Sequence, residues 1–153
     1  MRFRILAMCA LLATATIAHT ERISTVDAFV TSLGLGQNFY AISERTAQRT
    51  TTYQALISKV GRQQADTLIK QHLQAVVAQR QAQWDANLLT AYRAHFSDEQ
   101  LLSIANEGAQ SPHAALFDER RAAVSEDMQT MSADMLLQTV SDGLNRALMA
   151  TTE

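Results

Sequence analysis

A single proline, Pro112, stands in a chain of 153 residues, and only five glycines accompany it. Proline removes a backbone donor and clashes with the preceding turn, and glycine loses the most freedom on ordering, so a chain this poor in both has few places where a helix must stop. Twenty-five alanines and fourteen glutamines add to that bias. No segment alternates apolar and polar residues over strand length, so no sheet is expected. The chain reads as all-α, a compact bundle of about six helices with a long C-terminal one.

The first residues, "MRFRILAMCALLATATIAHT", place Arg2 and Arg4 before an apolar run from Ile5 to Ala13 and then a run of small residues. That is the three-part layout of a secretory signal, and the apolar run is too short to span a bilayer. Cleavage is expected after Ala18, with Thr16 three residues back; Ala15, with Ala13 behind it, is the alternative. A lipoprotein signal at Cys9 fits poorly, since Met8 stands where a small residue belongs. Residues 1–18 are therefore assigned to the signal and 19–153 to one helical domain, exported to the periplasm.

Removing the signal changes the chemistry of what remains. Cys9 is the only cysteine, so the exported chain has neither disulfide nor thiol. Eleven basic residues are left against fifteen acidic ones, which offers no electrostatic footprint for nucleic acid or an anionic membrane. About 135 residues suffice for one core built by packing alone. No second apolar run reaches membrane length, so no stable insertion is expected.

Helical spacing marks the elements. Ile23, Val26, Phe29, Val30 and Leu33 predict a helix that stops at Gly34. Phe39, Tyr40 and Ile42 predict a short one. Tyr53, Leu56, Ile57 and Val60 predict a third, interrupted at Gly61. Ala65, Ile69, His72 and Val76 form a stripe, and Trp84, Leu88, Tyr92 and Phe96 form another that is rotated from it. That rotation predicts a bend or break near Gln79 to Gln83.

The segment "HFSDEQLLSIANEGAQSPHAALF" specifies a corner. Ser97 is an N-cap with Gln100 three residues on, a capping box in which each side chain takes up a backbone N–H or supports the other. Phe96 and Leu101 are placed for a hydrophobic staple. Gly108 ends that helix, and Ser111 is expected to cap the next with Pro112 at its first position, where a missing N–H is harmless. These four, Ser97, Gln100, Ser111 and Pro112, read as structural caps.

A tyrosine-bearing helix, then "FSDEQLLSI", then "SP" opening a long helix resembles the secreted bacterial family called domain of unknown function 2059. Phe96, Ser97, Glu99, Leu101, Leu102, Ser111 and Pro112 carry the resemblance, which spans about Trp84 to Val124. Gly108 and Ala109 stand where an aromatic pair is expected, and Ala114 replaces a glycine. The resemblance implies a secreted helical fold and brings no catalytic residues.

The C-terminal helix changes face. Phe117, Val124, Met128, Met131 and Met135 form one stripe; Leu137, Val140, Leu144 and Leu148 form a second that points nearly opposite at 100° per residue. The second stripe is a possible interface with a partner or another copy. The leading expectation is that Leu137, Val140 and Leu144 pack on the N-terminal helix within the monomer, leaving only the end near Leu148 exposed, and the interface is the alternative. The methionines read as adaptable core filler.

Chemistry-bearing patterns are sparse. His72, His95 and His113 form no metal-ligand pair at helical spacing, and no GxSxG elbow surrounds a serine. His72 reads as a core histidine, and a cluster of His95, His113 and Asp98 is the one dispersed acid–base candidate. Asp118 with Arg121, and Asp142 with Arg146, are spaced as exposed helix ion pairs. The sequence thus predicts no catalytic, metal or cofactor site. The expected function is contact with another envelope protein or self-association. Carriage of an apolar small molecule or lipid between helices is the alternative, and a hydrolase with a dispersed site is a minor one.

Overall fold

The computed structural model describes residues 22–152; the segment expected to be an export signal, its two candidate cleavage points and Cys9 lie outside them. Within that range six α-helices and three short 3₁₀ turns follow one another, with no strand among the described residues. The helices are α1 (Phe29–Ser32), α2 (Phe39–Gln48), α3 (Thr51–Val60), α4 (Arg62–Arg93), α5 (Asp98–Glu107) and α6 (Ala114–Met149). The long pair, α4 and α6, pack against each other as the centre of the bundle, and α2 and α3 cover both. At 1.5 Å per residue the two run for about 50 Å. None of the helices is long and apolar enough to cross a membrane.

The N-terminal helix is shorter than its apolar spacing predicts. Residues 22–25 belong to no helix, Val26–Ala28 make a 3₁₀ turn, and only Phe29–Ser32 are α-helical. Thr25 is extended (φ −129°, ψ 142°), in keeping with the weak helix preference of the β-branched residues Ile23, Thr25 and Val26. Gly34 does end the element, at φ 63°, a conformation that side chains with a Cβ resist. Gly61, at φ 81°, likewise separates α3 from α4.

No break occurs at Gln79 to Gln83: α4 is continuous over its 32 residues. The two stripes looked rotated because positions between them on the buried face are polar. At 100° per residue, Val77, Arg80, Trp84, Asn87 and Ala91 all lie within about 40° of the direction of Leu73. Arg80 and Asn87 both reach α6 by hydrogen bonds, so the packed face is single and straight. With no proline or glycine inside α4, nothing local forces a kink.

The same holds for α6. Ser132 and Thr139 are buried beside Val124 and Met128, and the buried face then widens through Gly143 and Ala147 to Val140 and Leu144. α6 can turn more of its surface inward there because it meets α2 and α3 as well as α4. The N-terminal residues do not supply this cover as expected; α1 packs on α4 and α5 instead. At Gly143 the long helices approach closely. A Cβ there would sit 2.8 Å from Leu73 Cδ1 and 3.3 Å from its Cα, so a larger residue must push backbone as well as side chain.

Phe29, Phe39, Leu56, Ile69, Leu73 and Leu101 are fully buried, and each such side chain contributes about 1.5–3 kcal/mol relative to exposure. Aromatic pairs join the layers: Phe39 stacks on Trp84 at 4.4 Å, Tyr92 on Phe117 at 5.6 Å, and Phe29 meets Tyr92 edge-on at 5.1 Å. α1, α2, α4 and α6 are thereby tied into one core.

Candidate functional site

Three polar contacts cross between α4 and α6 or their ends. Arg80 donates to Thr139 Oγ1 at 3.0 Å and to Asp142 at 2.6 Å. Asn87 donates to Ser132 Oγ at 3.0 Å, and Ser132 in turn donates to Met128 Sδ at 3.4 Å. His95, just past α4, pairs with Asp127 at 2.7 Å. The partners descend along α6 as they ascend along α4, which is an antiparallel register written in polar pairs. Half-buried pairs of this kind add modest stability and penalise slipped alignments, since a shifted helix would leave them unpaired. Asp142 is therefore committed to Arg80 rather than to Arg146, the partner its helical spacing predicts.

The dispersed acid–base candidate is not assembled. His95 is held by Asp127, Asp98 pairs with Arg93 at 3.3 Å, and His113 sits at the entrance to α6 with its backbone N–H on Ser111. Arg120 locks the same neighbourhood by donating to the His95 carbonyl and lying 5.7 Å over the Phe96 ring. Among the described residues, no group of three or more His, Cys, Asp or Glu could hold a metal ion. His72 is half-buried rather than enclosed. Tyr40 is pushed up to about 12 by burial first and then by its hydrogen bond to Glu44; burial also raises Tyr53 and Tyr92. Each stays a neutral phenol near neutral pH, able to donate but not to act as a base.

Ser97 and Gln100 cap α5 as the sequence indicates, whereas Ser111 and Pro112 fall in the turn before α6 and do not cap that helix. Ser97 Oγ accepts from the Gln100 N–H at 3.3 Å and Gln100 Oε1 accepts from the Ser97 N–H at 3.0 Å, a complete capping box. Phe96 and Leu101 are both buried beside it. α6 starts at Ala114, two residues later than expected, because Ser111, Pro112 and His113 form a tight turn closed by Ala114 N–H on the Ser111 carbonyl at 3.1 Å. Ser111 Oγ still caps that turn, accepting from His113 N–H at 3.1 Å, and it shares a 2.8 Å hydrogen bond with Ser103 of α5.

The four distal residues separate. Val140 and Leu144 are buried inside the monomer, at 4% and 3% exposure, whereas Leu137 is 60% exposed and Leu148 is half-buried. Of these four, Leu137 offers the largest apolar surface to a partner. At 100° per residue Leu137 lies within about 20° of Leu144, so the two share a direction, and what stands opposite each along α6 sets which of them is covered.

A feature with no sequence signal lies at the other end. The Ile23 N–H donates to Asn106 Oδ1 at 2.8 Å, and Asn106 Nδ2 donates back to the Ile23 carbonyl at 3.0 Å. The same Nδ2 also donates to the Leu102 carbonyl at 2.9 Å, which holds the amide in place on α5. Asn106 thus clamps an extended backbone from across the chain. Beside it is a half-open groove of about 580 Å³ lined by Arg22, Ser24, Ser32, Leu33, Ala105 and Asn106, among others. A lone asparagine on a polar helix face carries no spacing that announces such a contact.

No family model matches the chain, and neither a curated protein nor a solved structure does.

Proposed function

We propose that this protein is a non-catalytic helical module of the bacterial cell envelope that works by contact with another envelope protein, in an accessory, chaperone-like or inhibitory role. The observation that carries this reading is the pairing of a closed, register-locked bundle with a surface groove beside the clamped segment 22–25. A rigid scaffold that displays backbone at its surface suits recognition of another polypeptide. The export-like N-terminus, the mild acidity of the remaining chain and the resemblance across Trp84 to Val124 support the compartment. The approach of α4 and α6 at Leu73 and Gly143 favours contact over carriage, because a carrier needs a lined cavity between its helices.

The test uses the exported protein carrying a photo-cross-linking residue at Leu33 or Leu137, with Gln79 as a control. Intact mass of the periplasmic fraction should show a chain beginning at His19, or at Thr16 if the earlier cleavage is used. Illumination should yield a discrete adduct from Leu33 or Leu137 and not from Gln79. A protein that forms no adduct, yet carries an apolar molecule at equal stoichiometry into native mass spectrometry, would replace contact with carriage.

A further inference from the structure

The clamp at Asn106 has a geometric consequence for the residue that follows. In extended backbone the N–H and C=O of one residue point to one side and those of the next residue to the other. Both polar groups of Ile23 are taken by Asn106, and Thr25 is extended. The Ser24 N–H, antiparallel across its peptide plane to the Ile23 carbonyl, therefore faces away from Asn106, and among the described residues nothing pairs with it or with the Ser24 carbonyl. Ser24 also lines the groove, together with Ala28, Leu33 and Ala105, and Leu33 is 40% exposed there. This is irregular backbone held on one side by Asn106 and open on the other, set along a partly apolar trough.

We propose that this edge receives an extended segment of a partner protein, which pairs with Ser24 as an added strand and seats an apolar side chain against Leu33 and Ala105. The proposal rests on the reading of the protein as an interaction module and names the chemistry of what it contacts. An open backbone edge calls for another backbone, since only a polypeptide supplies N–H and C=O at matching spacing. Hydrocarbon would leave the polar groups of Ser24 and Ser32 without partners along the same trough, which argues against lipid. With few hydrogen bonds available the affinity is low, suited to reversible contact.

The probe is a fluorescein-labelled peptide alternating threonine and valine, titrated with the exported protein and followed by anisotropy. Wild type should give a saturable curve, and Ser24→Pro, which removes one edge N–H while keeping an extended φ, should weaken it about tenfold, the loss of one hydrogen bond. Ser24→Ala should bind as wild type. A peptide N-methylated on alternate amides keeps the test open if Ser24→Pro misfolds: methylation on the pairing edge should abolish binding, and on the other edge should not. No saturation, or equal binding by both methylated peptides, would overturn the proposal. So would concentration-dependent dimerisation of the free protein that Ser24→Pro removes, because the edge would then belong to a second copy. Cross-linking from Leu137 alone, with no peptide binding, would remove this site and leave the broader reading in place.

Discussion

Along the seam between α4 and α6, side chains from two long helices pack over many turns, whereas residues 22–25 are tied to α5 by hydrogen bonds to the amide of Asn106. The seam combines buried apolar contacts with three polar pairs in register, so its loss is global. The N-terminal clamp lies on exposed hydrogen bonds and one short helix, so it can open while the bundle stays folded. A molecule built this way separates a part whose loss unfolds the whole from a part that can open locally.

The largest effect should come from placing charge inside the seam's distal face. Leu144→Asp buries a carboxylate among apolar side chains and should cost more than about 3 kcal/mol, read as a fall in the urea midpoint. Leu137→Asp, two turns earlier on the same helix and exposed, should stay within about 0.5 kcal/mol. Equal losses for the two would mean that Leu137 is covered in solution, by a second copy or a partner, and would erase the contrast between the two positions.

An intermediate effect belongs to the corner that joins the two regions. Ser97→Ala removes the acceptor for Gln100 N–H and should cost about 0.5–2 kcal/mol, measured by thermal and urea unfolding. If stability is untouched, the corner is held by Phe96 and Leu101 rather than by its capping box.

The smallest global effect should follow Asn106→Ala. Its hydrogen bonds to Ile23 are exposed, so unfolding free energy should change by no more than about 1 kcal/mol, while amide exchange at Ile23 speeds up and protease cuts near Ser24 more readily. A cooperative loss of the whole fold would show that the clamp belongs to the core and would break the comparison.

The corner was legible residue by residue because a capping box is a code read over three positions: Ser97 and Gln100 satisfy each other's backbone whatever else the chain does. Ser111 was expected to cap α6 and caps the turn before it instead; its bond to Ser103 was not legible, since two serines eight residues apart announce nothing. The expected break in α4 failed for a related reason. Arg80 and Asn87 are polar, and a stripe drawn through apolar residues alone skips them, although partners on α6 make those positions part of the packed face.

What the sequence by itself determined was helical class, the stops at Gly34, Gly61 and Gly108, and the start at Ser97, all of them consequences of backbone preference within a turn or two. Only the tertiary structure decided which polar residues join the long helices and that Val140 and Leu144 are covered while Leu137 is not. It also decided that Asn106 reaches back across the chain to Ile23. Those outcomes depend on what stands opposite each residue in space, and a helix's apolar pattern says which face is hidden without saying what hides it.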